Sequence, residues 1–288
     1  MKVLVLGATG LLGHAVLQSL LDGTTVEPVG AVRSADSLQR LPAALQGASR
    51  VLGDFTSLET LRSALEAVRP DVLVNCTSVA KADLQDPLKA FSVYAVLPRR
   101  LLHLCRLAGI RLVQIGSDGV FSGSRGGYTE RDLPDAGDVY GLAKLLGEVE
   151  GPGALTIRTS MVGHELGTRG GLLEWFLAQQ ASCRCFDRAV FSGLPTPELA
   201  RIIRDVVLPR PQLHGIYHVA AAPISKFDLL RRVAEVYGKQ IDMVADSSVV
   251  MDRSLVAERF RSDTGYSAPD WSELVNIMHA SQRTPARA

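Results

Sequence analysis

The opening thirteen residues constrain the fold more than any other stretch. Met1-Lys2-Val3-Leu4-Val5-Leu6 runs directly into Gly7-Ala8-Thr9-Gly10-Leu11-Leu12-Gly13. A short, continuously apolar run reads as a strand buried on both faces, the kind a parallel sheet covered by helices requires. Glycines spaced G-x-x-G-x-x-G between such a strand and a helix form a dinucleotide loop. Gly7 permits the tight turn, Gly10 lets the backbone approach a pyrophosphate, and Gly13 lets the helix settle on the sheet. The phosphates then meet the positive end of the helix that begins near Leu11. A glycine-rich turn that binds nothing is the alternative, and three glycines in register weigh against it.

The alternation continues along the chain. Apolar runs at 3–6, 25–32, 50–53, 71–75, 111–115 and 155–158 read as strands. Helical periodicity appears near 11–21, 58–68, 87–107 and 139–148. The expected class is α/β, a Rossmann doubly wound parallel sheet occupying residues 1–160. Regularity fades beyond Ser160. A loop is expected at 163–169, helices at 172–180, 196–207, 226–237, 253–261 and 270–278, and a strand at 215–219. Residues 161–288 are therefore expected to be mainly a smaller substrate-binding lobe whose strand near 215–219 returns to the main sheet. The tail 283–288 is expected to fray.

Composition narrows the function. The formal net charge of +1 supplies no global field for nucleic acid or anionic membrane. No apolar run reaches the roughly 20 residues of a membrane helix. No basic and apolar leader opens the chain. Cys76, Cys105, Cys183 and Cys185 are too few and too scattered for a disulfide framework or a zinc site, which fits buried thiols in a reducing cytoplasm. No metal-ligand cluster stands out.

The choice of dinucleotide turns on the second strand. About 20 residues past the glycines, NAD-binding chains usually carry an acid for the ribose 2′-hydroxyl. Here the stretch is Gly30-Ala31-Val32-Arg33-Ser34. An acid would repel a 2′-phosphate, whereas a guanidinium can pair with it bidentately. The expected cofactor is NADPH, with NADH possible. The competing reading has Arg33 merely solvated and Asp36 reaching the ribose; Asp36 fits better in a helix-starting turn with Ser34.

Tyr140 and Lys144 stand four residues apart, on one face of a helix. A lysine one turn away is expected to lower the phenol's pKa, and Asp138 as N-cap places Tyr140 in the first turn, where the helix dipole acts in the same sense. Ser117, at the end of the fifth strand, can donate to a substrate carbonyl oxygen. Ser117, Tyr140 and Lys144 are the candidate catalytic residues, and Tyr140 and Lys144 also belong to the cofactor site. A lone Y-x-x-x-K is usually a surface pair; the glycine loop and Ser117 argue otherwise.

The glycine spacing resembles that of the short-chain dehydrogenase/reductase superfamily, in its extended branch, which implies that Thr9 helps fix the turn and that Asp54 contacts the adenine edge. Asp54 is equally an N-cap for the helix near Ser57. Residues 114–123, 127–130, 138–148 and 158–160, with 252–260 later, resemble dTDP-4-dehydrorhamnose reductases. That resemblance implies NADPH-dependent reduction of a 4-keto-6-deoxysugar on a nucleoside diphosphate. It implies Gly10, Leu11, Leu12, Asp54, Phe55, Thr77, Ser78 and Val79 along the cofactor. It also implies Ser117, Asp118 and Met161 along the sugar. The chain departs from the pattern at Gly116, at Gly119, which should leave a space where a tyrosine is common, and at Tyr94, where the family carries an asparagine. A 4,6-dehydratase would need an acid after Asp118. An epimerase or a non-catalytic NADP-binding regulatory subunit remains the alternative. Arg253, Arg259 and Arg261 are either diphosphate ligands or solvated helix faces. A homodimer is possible through the long helix ending near Leu107 and the helix bearing Tyr140.

Overall fold

Apolar strands without polar alternation need cover on both faces, and the computed structural model shows both covered. It describes residues 1–22, 26–79, 83–84, 86–167 and 170–282. Thr25, where the second strand was expected to begin, Arg169 at the end of the expected loop, and the tail 283–288 lie outside the described residues. Six strands run in chain order: β1 (Lys2–Leu6), β2 (Glu27–Val32), β3 (Ser49–Val51), β4 (Val72–Asn75), β5 (Arg111–Ile115) and β6 (Ala154–Arg158). A seventh, Gly215–His218, pairs with β6, as expected of the 215–219 segment. The sheet order is Gly215–His218, β6, β5, β4, β1, β2, β3, and every pairing is parallel. The order reverses between β1 and β4, so the carboxyl ends of these two strands open the crevice where doubly wound sheets take ligands.

The two faces follow from strand alternation. Val3, Val5, Val72, Val74, Val113, Ile115, Leu155 and Ile157 share one core with Val16 and Leu20 of the helix Gly13–Leu21. Leu4, Leu6, Leu73 and Leu112 face the other way, against Leu61 and Leu65 of Leu58–Val68 and Leu97 and Leu101 of Leu97–Ala108. Leu199 and Ile203, Leu229 and Val233, and Leu274 and Met278 belong to the first of these cores. The chain beyond Ser160 thus supplies the cover of one face of the sheet and also builds three small sheets of its own.

Three expected helices differ, one of them over 196–207, where the regular helix Thr196–Ile202 passes into a π-turn, Ile203–Val207. The segment expected to be helical over 87–107 is interrupted by a π-turn, Ser92–Val96, between Pro87–Phe91 and Leu97–Ala108. Pro98 has no N–H to give the carbonyl of Tyr94, so the regular ladder cannot close there. Gly147 packs on that carbonyl so closely that a Cβ would overlap the Tyr94 oxygen. Near the C-terminus, the helix expected over 253–261 begins instead at Glu258 and runs to Thr264. Tertiary contacts hold the preceding residues extended. The Ser254 carbonyl accepts from Tyr128 N at 2.9 Å, and Ser254 Oγ accepts from Gly127 N at 2.9 Å. Periodicity alone cannot register a partner more than a hundred residues away.

Beyond the crevice sits a buried ion pair. Arg158, 3% exposed, forks onto Glu148, 7% exposed, through Nε–Oε1 at 2.6 Å and Nη2–Oε2 at 2.8 Å. His218 lies 3.3 Å from Arg158 Nη1 through Nε2 and 3.1 Å from the Tyr128 carbonyl through Nδ1. Burial first, then the Arg158 charge, pushes the imidazole down to about 4, so it is neutral at physiological pH. Its neutral form can donate to Tyr128 and accept from Arg158. Removing one member strands a buried charge. Glu148→Ala should therefore lower unfolding free energy by ~3–5 kcal/mol, read by urea denaturation. A variant with the parent midpoint would show that the pair is dispensable.

Candidate active site

The glycine loop has the shape a pyrophosphate requires. Gly7 has φ of +74°, and a Cβ there would lie 2.7 Å from the Cys76 carbonyl oxygen. A Cβ on Gly13 would overlap the Gly7 carbonyl oxygen, and one on Gly10 would lie 3.2 Å from that same oxygen and 3.7 Å from Ser78 Oγ. Thr9 lies in the intervening turn, which Gly10 N closes onto Gly7 O at 2.9 Å. The helix Gly13–Leu21 starts directly after this loop, so its positive end faces the strand ends. Leu12 turns its side chain into the core, so it offers a ligand its backbone. These features fit a dinucleotide at the β1 and β4 ends.

The floor of the site is the segment after β4. Asn75 is buried, gives its amide to Gln114 Oε1 at 2.8 Å, and accepts from Thr77 N at 3.2 Å and Thr77 Oγ1 at 2.7 Å. That network holds Thr77 and Ser78 opposite Gly10. Sequence reasoning missed Asn75 and Gln114; both sit in apolar strands, and only their mutual contact marks them. Arg33, just past β2, is exposed and makes no hydrogen bond or ion pair with the described residues. Ser34 caps the helix Ala35–Gln39 with Asp36 in its first turn, as expected. Asp54 does not cap the next helix. Ser57 does, while Asp54 bonds Thr56 N at 3.0 Å and Thr56 Oγ1 at 2.9 Å. Phe55 is buried beside it in the core with Leu61.

The proton-transfer residues converge where β5 ends. Asp138 caps the helix Val139–Leu146, accepting from Gly141 N at 2.8 Å, which places Tyr140 in the first turn. Tyr140 Oη donates to Ser117 Oγ at 3.1 Å. Ser117 Oγ also accepts from Gly119 N at 2.9 Å and donates to Asp118 Oδ1 at 3.3 Å. Burial pushes the Asp118 carboxyl up to about 6, against the opposing pull of Arg253, Ser117, Ser160 and Lys226. Met161 begins the short strand Met161–Val162 beyond β6 and is half-buried.

Lys144 behaves differently from expectation. Its Nζ donates to the Ile115 carbonyl at 3.1 Å and stands 4.6 Å from the centre of the Tyr94 ring. Burial pushes this ammonium down to about 8. Burial likewise holds the Tyr140 phenol well above its ordinary value, and the Ser117 hydrogen bond only partly offsets it. The expected lowering of Tyr140 by Lys144 is thus overturned: desolvation disfavours the phenolate more than any neighbour stabilises it.

Contacts bear on three of the remaining expectations. Gly119 leaves no space, since a Cβ there would lie 2.8 Å from Tyr140 Cε1; the tyrosine ring fills it. Arg253 acts electrostatically on both Asp118 and Tyr140, and its Nη2 lies 3.5 Å from Asp138 Oδ2. Arg259 and Arg261 are engaged elsewhere, with the Ile216 carbonyl and with Glu258. Gly119→Ala should overpack the site and lower stability by ~1–3 kcal/mol, measured by urea denaturation. An unchanged midpoint would mean the Tyr140 ring yields freely.

Comparison with known proteins gives the family and the fold. Residues 1–278 match the family model described as RmlD substrate binding domain. A dTDP-4-dehydrorhamnose reductase of Streptomyces griseus is 36% identical over 149 residues, covering 50% of this chain and 43% of that protein. The methionine adenosyltransferase 2 subunit beta of Rattus norvegicus is 23% identical, covering 86% of this chain and 77% of that one. Among solved structures, a hypothetical dTDP-4-dehydrorhamnose reductase from Sulfolobus tokodaii superposes with a TM-score of 0.77 at 25% identity, covering 94% of this chain and 98% of that chain. The dTDP-4-dehydrorhamnose reductase of Bacillus anthracis, in complex with NADP, gives 0.79 at 19% identity, covering 97% and 99%. With the model match spanning nearly its whole length, the chain belongs to the RmlD substrate-binding-domain family.

Proposed function

We propose that this protein reduces a 4-keto-6-deoxysugar attached to a nucleoside diphosphate, with NADPH as reductant and Tyr140 as proton donor. The observation that carries the reading is the 3.1 Å contact between Tyr140 Oη and Ser117 Oγ at the carboxyl end of β5. Two hydroxyls so placed can both bond one carbonyl oxygen. The bound nicotinamide would supply hydride to the carbonyl carbon. Negative charge then develops on the oxygen, and Tyr140 gives its proton there, leaving an alcohol. Burial keeps Tyr140 protonated until the carbonyl oxygen takes the proton; the phenolate left behind is costly in this dry site, and the Lys144 ammonium one helical turn away would offset part of that cost. Ser117 orients the oxygen, and Lys144 supplies a fixed positive charge beneath the pair.

The remaining assignments rest on position. Gly7, Thr9, Gly10, Leu11, Leu12 and Gly13 would hold the pyrophosphate, Arg33 the 2′-phosphate, Asp54 and Phe55 the adenine side, and Thr77, Ser78 and Val79 the floor. Asp118 and Met161 would line the sugar. Residues 1–160 would form the cofactor domain and 161–288 mainly the substrate lobe. A two-fold dimer would cover the apolar groove of about 600 Å³ between Leu58, Val96 and Leu146. Because one relative is a subunit beta, a non-catalytic regulatory subunit is the second reading; the Tyr140–Ser117 contact at the strand end stands against it.

The deciding experiment is turnover over a panel of nucleotide-linked ketosugars, following loss of NADPH. Stoichiometric NADPH consumption without loss of water is expected; regeneration of the cofactor within each cycle would favour an epimerase or dehydratase. Tyr140→Phe should lower turnover by roughly 10²–10⁴ with NADPH affinity little changed. Near-parental turnover in that variant would remove Tyr140 as the proton donor. Because the Lys144 ammonium titrates at about 8, turnover should fall as pH rises through that value, where the positive charge is lost. Arg33→Ala should weaken NADPH by ~1.5–3 kcal/mol and leave NADH nearly untouched. Equal NADPH and NADH affinities in the parent would remove Arg33 from the 2′-phosphate.

A further inference from the structure

We infer that Tyr94 is a positioning residue: its ring seats the Lys144 ammonium and its hydroxyl holds the Val79 main chain, tying the cofactor floor to the proton-transfer pair. As a statement about cofactor and proton transfer, this rests on the reductase reading above. Tyr94 sits in the π-turn Ser92–Val96 and is 5% exposed. π-turns inside helices frequently mark functional sites. Its Oη accepts from Val79 N at 2.9 Å, and Val79 belongs to the segment that follows β4 past the glycine loop. The Lys144 Nζ lies 4.6 Å from its ring centre. The Tyr140 ring meets it edge to face, with centroids 5.4 Å apart and planes at 87°. One side chain therefore touches the cofactor floor, the lysine and the tyrosine.

The chemistry of Lys144 shows why the ring matters. The ammonium is buried, and the hydrogen bond recorded for its Nζ goes to the Ile115 carbonyl. A desolvated ammonium is costly unless its charge is met. The electron-rich face of Tyr94 meets it without adding a formal charge. The titratable groups around Lys144 are Cys76 at the end of β4, Glu148 just past its own helix, Tyr140 on its own helix and Tyr94 itself. Glu148 is already committed to Arg158, and burial pushes the Cys76 thiol up to about 12, so Cys76 is uncharged near neutrality. The aromatic face, 4.6 Å away, stands with the Ile115 carbonyl as a direct contact of the ammonium. The family's asparagine at this position could offer hydrogen bonds but no such face.

Two variants separate the halves of the proposal. Tyr94→Phe keeps the ring and deletes the hydroxyl. It should leave the Lys144 titration near its parental value and raise the NADPH dissociation constant roughly three- to tenfold, the worth of one hydrogen bond. Tyr94→Leu deletes the ring and stays apolar. It should lower the Lys144 midpoint by about one pH unit, as loss of a desolvated cation–π contact predicts, with kcat falling at least roughly tenfold. The alkaline limb of the pH profile should move down with it. The midpoint is read by NMR of ¹⁵N-labelled lysine side chains and NADPH affinity by fluorescence, so neither depends on turnover. A Tyr94→Leu protein that is merely less stable, with the parental Lys144 midpoint, overturns the seating role. Parental NADPH affinity in Tyr94→Phe overturns the clamp, and decides the matter if the leucine variant does not fold. Absence of turnover in the parent on every ketosugar would sink the reductase reading, while the lysine titration would still judge Tyr94.

Discussion

A carbonyl oxygen at the end of β1 leaves no room for a methyl group. A Cβ at Gly13 would overlap Gly7 O, and a Cβ at Gly7 would press on the Cys76 carbonyl. These two contacts let the first helix approach the sheet and let the β4 segment run beside the loop. The crevice at the strand-order reversal exists because the backbone can come this close. Everything that follows is built on that approach: the floor of Thr77 and Ser78, the buried Asn75–Gln114 bond beneath it, and the helix N-terminus above.

The second organising condition is dryness. Tyr140, Lys144 and Asp118 all titrate in directions set mainly by burial. In such a place a neutral phenol is a stable reservoir of one proton, and a buried ammonium needs a partner. The fold meets this with geometry rather than with counter-charges. A π-turn, made where Pro98 withholds an N–H, sets Tyr94 under Lys144 and against Tyr140. Gly147 and Gly119 then allow the neighbouring helix and the Tyr140 ring to close over the site.

The later half of the chain completes the crevice from a distance. Gly127, Tyr128 and Ser254 exchange hydrogen bonds that draw residues 252–255 across to the strand ends. Arg253 then acts on Asp118 and Tyr140. The Glu148–Arg158 pair, with His218 against it, joins the end of the Tyr140 segment to β6 and the seventh strand. Residues from both halves of the chain share one continuous core.

Sequence alone determined the local elements whose causes are local. The unbroken apolar runs specified buried parallel strands, and β5 and the helices Leu58–Val68 and Lys226–Tyr237 lie where periodicity put them. Glycine spacing specified the loop, and Asp138 and Ser34 specified caps, because these effects act within one turn of chain. Tertiary structure decided what depends on partners far away. It held residues 252–255 extended. It filled the space beside Gly119 with the Tyr140 ring and separated Arg253 from Arg259 and Arg261. It also reversed the expected effect on Tyr140, since spacing along a helix reports which groups are near, while the pKa depends on how much water the whole fold removes. Tyr94 shows the division most clearly. Read along the chain it is a departure from a pattern; in the fold it is where three parts of the site meet.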